Sequence, residues 1–513
     1  KTLKELFFGS NISLECAQNI ALLLSRCQMK SLKSIEFDEN EISDEGLAEV
    51  ARALSVQPQL EKLDLTWTNS GDAPFRRGYA ALGAAMKGWK SPSLKKLYIF
   101  ADDIDDDGLQ ALADGMSNCY NLEDLLLGAN DSVITVVGLR ALSALLRSKK
   151  ICLQWLSLGF MNIDGDGMTA LADGLASLQS LKSLNLSFND IGDEGLQALA
   201  ASLANSDLEK LNVSCNGSFS DIGLRCLSDV LPTALNLKSL DLAHNSINGE
   251  GLQALAVGLT KASSLRWLDL GNNDIDDEAL EVLVEGMENL CNIEKLRLSG
   301  NRITVSGLSV LTPIFHRDYS CSLKELDLDG MDIGDEGAEV LAEGLRGNKS
   351  LTKLMFDCTD VTDMGWAAFS RLLCDTSSVN NTYLSNHTLE VIGCRFDDQF
   401  NVIPSSVKHY SKLNKQNRHD VAICKILMSH ADLDMTPLFQ LKLKPLPLVA
   451  AWLERARSCR AYVEESISSF ERRELSSVYQ FIRGLPLLVV DGFYNQKSAH
   501  TRSKKRRFDQ RDK

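Results

Sequence analysis

The sequence predicts an α/β horseshoe solenoid: about 14 strand–helix units, with a parallel sheet inside, helices outside and a small α-helical cap at the C-terminal end. Three observations predict it. The pattern L-x-x-L-x-L-x-x-N-x-I-x-D-E-G-L recurs, clearest at Leu181, Leu184, Leu186, Asn189, Ile191, Asp193, Glu194, Gly195 and Leu196. Its copies begin at Leu3, Leu32, Leu60, Leu94, Leu122, Leu153, Leu181, Leu208, Leu237, Leu265, Ile293, Leu323, Leu351 and Val379; twelve of the 13 spacings lie between 27 and 31 residues, and the other is 34. A 513-residue chain with 44% hydrophobic but only 6% aromatic residues suits stacked thin layers better than one thick core.

Each unit reads as one strand and one helix. The L-x-L alternation puts two leucines on one face and the residue between them on the other. The asparagine at the strand exit suits a turning backbone, which its amide can hydrogen-bond. Asp193 and its equivalents are expected to cap the following helix, and Glu194 suits the positive end of its dipole. Leu196, Leu199, Ala200 and Leu203 then follow helical spacing and form one apolar stripe facing the strand. Strands stack about 4.8 Å apart and helices about 8–10 Å apart, so the array must curve with the sheet on the inner side. No unit covers its own apolar faces, so stability is a sum over neighbouring interfaces.

The period is expected to stop near Gly393. Three helical patterns follow, at Ile423, Ile426, Leu427 and His430, at Val449, Trp452, Leu453 and Ala456, and at Leu475, Val478, Tyr479 and Ile482. The resulting division is a solenoid over 1–392, a helical cap or small domain over 393–490, and a basic, disordered tail over 491–513. From Lys497 onward the tail carries eight Lys/Arg against Asp509 and Asp512. Its Lys504, Lys505, Arg506 and Arg507 have the form of a nuclear-import signal, with a plain solvated tail as the alternative.

The repeat period, the N-x-I-x-D-E-G-L segment and the full helix in each unit resemble the ribonuclease-inhibitor-like leucine-rich repeats, a subclass shared with Ran GTPase-activating protein and the sensor arrays of NOD-like receptors. The resemblance covers about residues 3–390. It implies a binding architecture and no single ligand. Met161, Met331, Thr359 and His387 depart from it at the asparagine position.

Net charge is -15, which favours basic partners and disfavours nucleic acid and acidic membranes. None of the 13 cysteines lies in a Cys-x-x-Cys pair. Cys119, Cys152, Cys291 and Cys321 precede strands, where a small buried thiol fits, so a reducing compartment is expected. The chain has no apolar run of membrane-spanning length. It begins at Lys1 with Leu3 already inside a unit, and so reads as truncated. A cytoplasmic location is expected, with the tail offering a nuclear one, and the chain is expected to be monomeric.

The candidate site is the inner face, whose strand residues are expected to carry no packing duty. The residues between the strand leucines run from Phe7 and Glu36 to Met355 and Tyr383. Acidic clusters occur at Glu36, Asp38, Glu39 and Asp64, and at Asp241, Asp269, Asp327 and Asp329, with Trp67, Tyr98, Trp155, Phe160, Phe188 and Trp267 near them. Aromatics among charges are what interface anchors look like; the plainer alternative is that exposed strands simply take polar residues. A protein partner with a basic surface is expected. The insertion within Gly71–Gly78 offers Arg76 and Arg77 to a phosphate or carboxylate, with a tolerated surface loop as the plainer reading. No metal ligand set, cofactor motif or catalytic constellation appears, so a non-enzymatic scaffold is expected. A small-GTPase regulator, with Arg76 or Arg77 acting, and a fragment of a larger NOD-like receptor-type protein are the alternatives.

Overall fold

The computed structural model describes residues 3–430, apart from 10–11, 28–30, 39–41, 58, 69–75, 90–92, 102–103, 130–133, 149, 205, 218, 288–291, 316–322, 394–402 and 417–420. One parallel sheet runs through it in sequence order. Its strands are β1 (Glu5–Gly9), β2 (Ser34–Asp38), β3 (Lys62–Thr68), β4 (Lys96–Ala101), β5 (Asp124–Gly128), β6 (Trp155–Ser157), β7 (Ser183–Asn185), β8 (Lys210–Asn212), β9 (Ser239–Asp241), β10 (Trp267–Asp269), β11 (Lys295–Arg297), β12 (Glu325–Leu328), β13 (Lys353–Phe356) and β14 (Val391–Gly393). A helix follows each of the first thirteen strands, from α1 (Leu14–Cys27) to α13 (Asp363–Leu373). The architecture is a leucine-rich-repeat horseshoe. Its core is a continuous stack of buried leucines, among them Leu184, Leu211, Leu240, Leu268 and Leu296, each no more than 1% exposed.

The asparagines do more than turn the chain. Asn245 Nδ2 donates to Leu242 O of its own unit at 3.0 Å and to Val213 O of the unit before at 2.9 Å, while its Oδ1 accepts from Asn216 N at 2.7 Å. Asn273 does the same one unit on, accepting from Asn245 N and Ile247 N, each at 3.0 Å. Asn189, Asn216 and Asn301 extend the ladder. These amides meet backbone groups that the ladder of strand hydrogen bonds no longer reaches, and a buried group left unpaired there would be costly.

The acids at the helix starts also act between units, which corrects the expected capping. The helix Gly192–Leu203, which holds Asp193 in its first turn, has no side-chain cap. Asp193 instead accepts from Ser220 N, at 2.9 Å, and Ser220 Oγ, in the next unit. Asp106 takes Thr135 N, Thr135 Oγ1 and Gly138 N, and Asp335 takes Thr362 N, Thr362 Oγ1 and Gly365 N. These bonds hold the Asp106 carboxyl below its ordinary range against the opposing effect of burial, and the Thr362 bonds lower that of Asp335. The helix starts at Val136, Asp221 and Asp363 are thus clamped by the preceding unit's acid, while the cap side chain is the residue before each helix: Thr135, Ser220 or Thr362.

The last unit departs from the period. Val379 does not open a strand. Ser378 N-caps a short helix, α14 (Val379–Leu384), and the final strand comes twelve residues after Val379, with buried Leu389 in the first-leucine place. Tyr383 is therefore on a helix, 61% exposed, and His387 is no ladder residue. The leucine spacing alone cannot distinguish the two starts. The cap at Ser378 does.

Two further helices, α15 (Ser405–Gln416) and α16 (Val421–Ser429), pack on this end. Their docking joins buried apolar side chains, among them Val407, Leu413 and Val421, with polar bonds. Asn414 Nδ2 donates to Leu389 O at 2.7 Å. Lys425, wholly buried, donates to Leu373 O at 2.6 Å and Asn386 O at 2.8 Å, and lies 3.2 Å from His387 Nδ1. Burial pulls the Lys425 ammonium down to about 7 and His387 down to about 4. The expected helical patterns beyond residue 430 lie outside the described residues. Cys152 is exposed and not buried, because it points away from the leucine stack; Cys119 is buried, which pushes its thiol up to about 12. Cys291 and Cys321 lie outside the described residues.

Two predictions follow from these contacts. Asn245→Ala should lower the unfolding free energy in urea by roughly 2–4 kcal/mol, since it strands several buried backbone groups at once. Because the folded-state pKa of Lys425 is lowered, the unfolded chain holds more protons above pH 7, so amide protection in α16 should rise between pH 7 and 10 and lose that slope in Lys425→Met.

Candidate protein-binding face

Strand alternation buries the leucines and leaves the intervening residues on the concave side. The strand register aligns these into a continuous middle row: Phe7, Glu36, Asp64, Tyr98, Leu126, Ser157, Asn185, Asn212, Asp241, Asp269, Arg297, Asp327, Met355 and, in place of Tyr383, Gly393.

The row carries structural duty, against expectation. Asp64, Asp269 and Asp327 are 9%, 6% and 1% exposed. Each turns its Oδ1 onto a backbone N–H two residues ahead, of Thr66, Gly271 and Asp329, as Asn185, Asn212 and Asp241 do with Ser187, Ser214 and Ala243. These bonds end the strand and turn the chain outward. Most of the acids are also paired. Lys62 Nζ lies 2.9 Å from Glu36 and 3.1 Å from Asp64, and Arg297 lies 3.2 Å from Asp269 and 3.8 Å from Asp327. Asp241 differs. Burial pushes its carboxyl up to about 6, opposed by the Ala243 N–H and reinforced by the neighbouring Asp269 charge. Glu39 and the side chain of Asp38 lie outside the described residues.

The aromatics divide into two groups. Tyr98 and Trp155, one strand apart from each other across β5, meet edge to face with centroids 5.8 Å apart, and Lys62 Nζ stands 5.6 Å from the Tyr98 ring. Beside them Phe100 meets Phe160 edge to face at 5.7 Å, and Phe160 stacks flat on Phe188 at 4.2 Å. Gly128 makes this step possible: a Cβ there would come within 2.7 Å of the Phe100 ring. Trp267 stands apart, on β10, with the Arg297 guanidinium 5.6 Å from its ring. Trp67 lies in β3, with its side chain outside the described residues.

Phe160 and Phe188 share one backbone feature. The residue before each ladder position has positive φ: Phe160 at 59°, Phe188 at 57°, Cys215 at 55°, His244 at 58° and Asn272 at 52°, followed by Gly300 and Gly330. Glycine or asparagine suits this conformation, whereas a bulky residue costs roughly 1–2 kcal/mol. Phe188 nonetheless keeps a ring that is 49% exposed. The sequence pattern points to Phe188 but assigns no role to Phe100 or His244. For His244 the signal is a large residue immediately before the ladder asparagine, where glycine would be more stable; Phe100, inside a strand, carries no such signal.

Other candidates lose their freedom. Arg76 Nε lies 2.6 Å from Asp105 and Arg77 Nη1 lies 2.7 Å from Glu45, both in adjacent units. The basic residues Lys504, Lys505, Arg506 and Arg507 lie outside the described residues. Among the described residues no group of three or more His, Cys, Asp or Glu could hold a metal, and no helix is long and apolar enough to cross a membrane.

A family model described as Leucine Rich repeat matches residues 28–51, 177–200, 204–228, 234–256, 261–284, 289–311 and 319–342. No curated protein sequence matches the chain. Among solved structures the chain is similar to an internalin (inlF) from Listeria monocytogenes str. 4b F2365, at 22% identity and a TM-score of 0.41, over 66% of this chain and 78% of that one. It is also similar to TLR13 in a TLR13-ssRNA13 complex, at 19% identity and a TM-score of 0.37, over 69% of this chain and 45% of that one.

The Asp241 environment yields a prediction on stability. Its folded pKa lies above the unfolded value, so its ionisation destabilises the fold as pH rises through 6. Asp241→Asn should therefore raise stability at pH 7.5 by roughly 1–2 kcal/mol after allowance for solvent screening, and the gain should vanish near pH 4. Urea unfolding at the two pH values measures it.

Proposed function

We propose that this leucine-rich-repeat solenoid is a protein-interaction scaffold that holds a partner on its concave face, anchored on Tyr98, Trp155, Phe160 and Phe188. The observation that carries the reading is the stacked, half-exposed Phe160–Phe188 pair, kept in a conformation where glycine would be more stable. Backbone strain retained under an exposed aromatic is of no use to the fold, but it is of use to an interface. The full helix in each unit supports the ribonuclease-inhibitor-like subclass. The free thiols of the described cysteines are in keeping with a reducing, cytoplasmic setting. We read the scaffold as a monomer without catalysis of its own. For a small-GTPase regulator the chain offers only Arg76 and Arg77, whose exposed side chains form ion pairs with Asp105 and Glu45.

The test uses a substitution the backbone prefers. Phe188→Gly relieves the left-handed strain, so it should stay folded by circular dichroism and keep its unfolding free energy in urea to within about 1 kcal/mol. It should nevertheless lose a partner captured by the intact chain from cell extract, as should Trp155→Ala. Capture unchanged in both variants would remove the concave aromatic face as the site.

A further inference from the structure

Between Phe188 and Trp267 the concave face forms a trough floored by small side chains: Ser183, Asn185, Asn212, Ser239 and Ala243. It runs from β7 to β10, three strand spacings or about 14 Å, wide enough for an extended peptide. Aromatic rings stand on both sides of it. Its charge is unevenly placed. Lys210 is exposed at the N-terminal end of the strands, while Asp241 and the exposed Asp190 and His244 stand toward their C-terminal end.

The chain itself shows what such a surface accepts. At the neighbouring strands Arg297 lies over the Trp267 ring at 5.6 Å and reaches Asp269 at 3.2 Å and Asp327 at 3.8 Å. That is a guanidinium held by an aromatic ring and carboxylates together. Asp241 offers the carboxylate one strand earlier, in register with Asp269, without an ion-paired cation. Its Oδ1 takes the Ala243 N–H at 3.1 Å, and among the described residues no lysine or arginine forms an ion pair with it.

We propose that this trough takes an extended basic segment of the partner, with an arginine side chain seated at Asp241 between the Phe188 and Trp267 rings. The proposal rests on the concave-face reading and narrows it to a partner of stated chemistry. Charge complementarity supports it. The groups facing Asp241 are Asp269 from β10, Arg297 from β11, Cys215 from the preceding unit and His244 from its own, and Arg297 is already shared between two other carboxylates. A cation at Asp241 would compensate a half-buried carboxylate of the middle row that no lysine or arginine pairs with among the described residues. Binding then depends on the ionised carboxylate, which is present above pH 6 and lost below it.

The probe is a fluorescent hexa-arginine peptide, with hexa-glutamate as its counterpart, titrated by anisotropy into the full chain and into Asp241→Asn, Phe188→Gly and, on the convex helices, Asp229→Asn. Hexa-arginine should bind the intact chain and Asp229→Asn alike, at least fivefold more weakly to Asp241→Asn, and more weakly to Phe188→Gly. Its affinity for the intact chain should fall between pH 7.5 and 5.5, and that fall should be absent in Asp241→Asn. Equal binding to Asp241→Asn, or equal weakening by Asp229→Asn, would overturn the proposal in favour of diffuse attraction to an acidic protein. The concave-face reading would fall separately, if Phe188→Gly and Trp155→Ala both kept the captured partner.

Discussion

A strand–helix unit that stacks by its flat sides cannot satisfy its own backbone where the strand ends, and the buried asparagine ladder meets that constraint. One amide reaches back to the preceding carbonyl while its oxygen serves the preceding amide, as Asn245 does between Val213 and Asn216. Asn273 and Asn301 repeat the arrangement. Each bond is modest. Together they make every turn depend on its neighbour, so the array is stable only as a stack. The carboxylates of Asp106, Asp193 and Asp335 do the same on the convex side by clamping the next helix start. Sheet and helices are therefore tied unit to unit by the same kind of polar bridge, with leucines filling the space between.

The ladder also sets the conditions of the functional face. To turn the amide inward, the residue before it adopts positive φ, and its side chain is carried to the rim of the concave sheet. Glycine takes this position at Gly300 and Gly330. Phenylalanine takes it twice in succession, at Phe160 and Phe188, and the two rings stack. Stability and binding pull in opposite directions there, as they do at Asp241, where an uncompensated carboxylate is kept half-buried beside another.

The concave face is also less open than a count of acids suggests. Glu36, Asp64, Asp269 and Asp327 are engaged by Lys62 and Arg297, and several of these acids hold the strand exit in shape. The net charge of the protein thus says little about which carboxylates remain for a partner. Burial and pairing single out Asp241. At the far end, the polar contacts of Lys425, Asn414 and His387 close the last unit together with buried apolar residues such as Val407 and Val421.

The period of the leucines by itself determined the first thirteen strands, the buried stack and the order of the middle row from Phe7 to Met355, because these depend on spacing within a unit. The period failed at Val379, where a cap residue outweighs a matching leucine pattern. Tertiary structure alone decided the rest: which carboxylate meets which lysine, that Asp193 serves the next helix and not its own, and that Phe100 reaches Phe160 across Gly128. The Asp193–Ser220 and Arg297–Asp269 pairs join neighbouring units, and Phe100 reaches Phe160 two units on. They are set by strand register, by backbone φ and by the small side chains left between larger ones, none of which a one-dimensional repeat specifies.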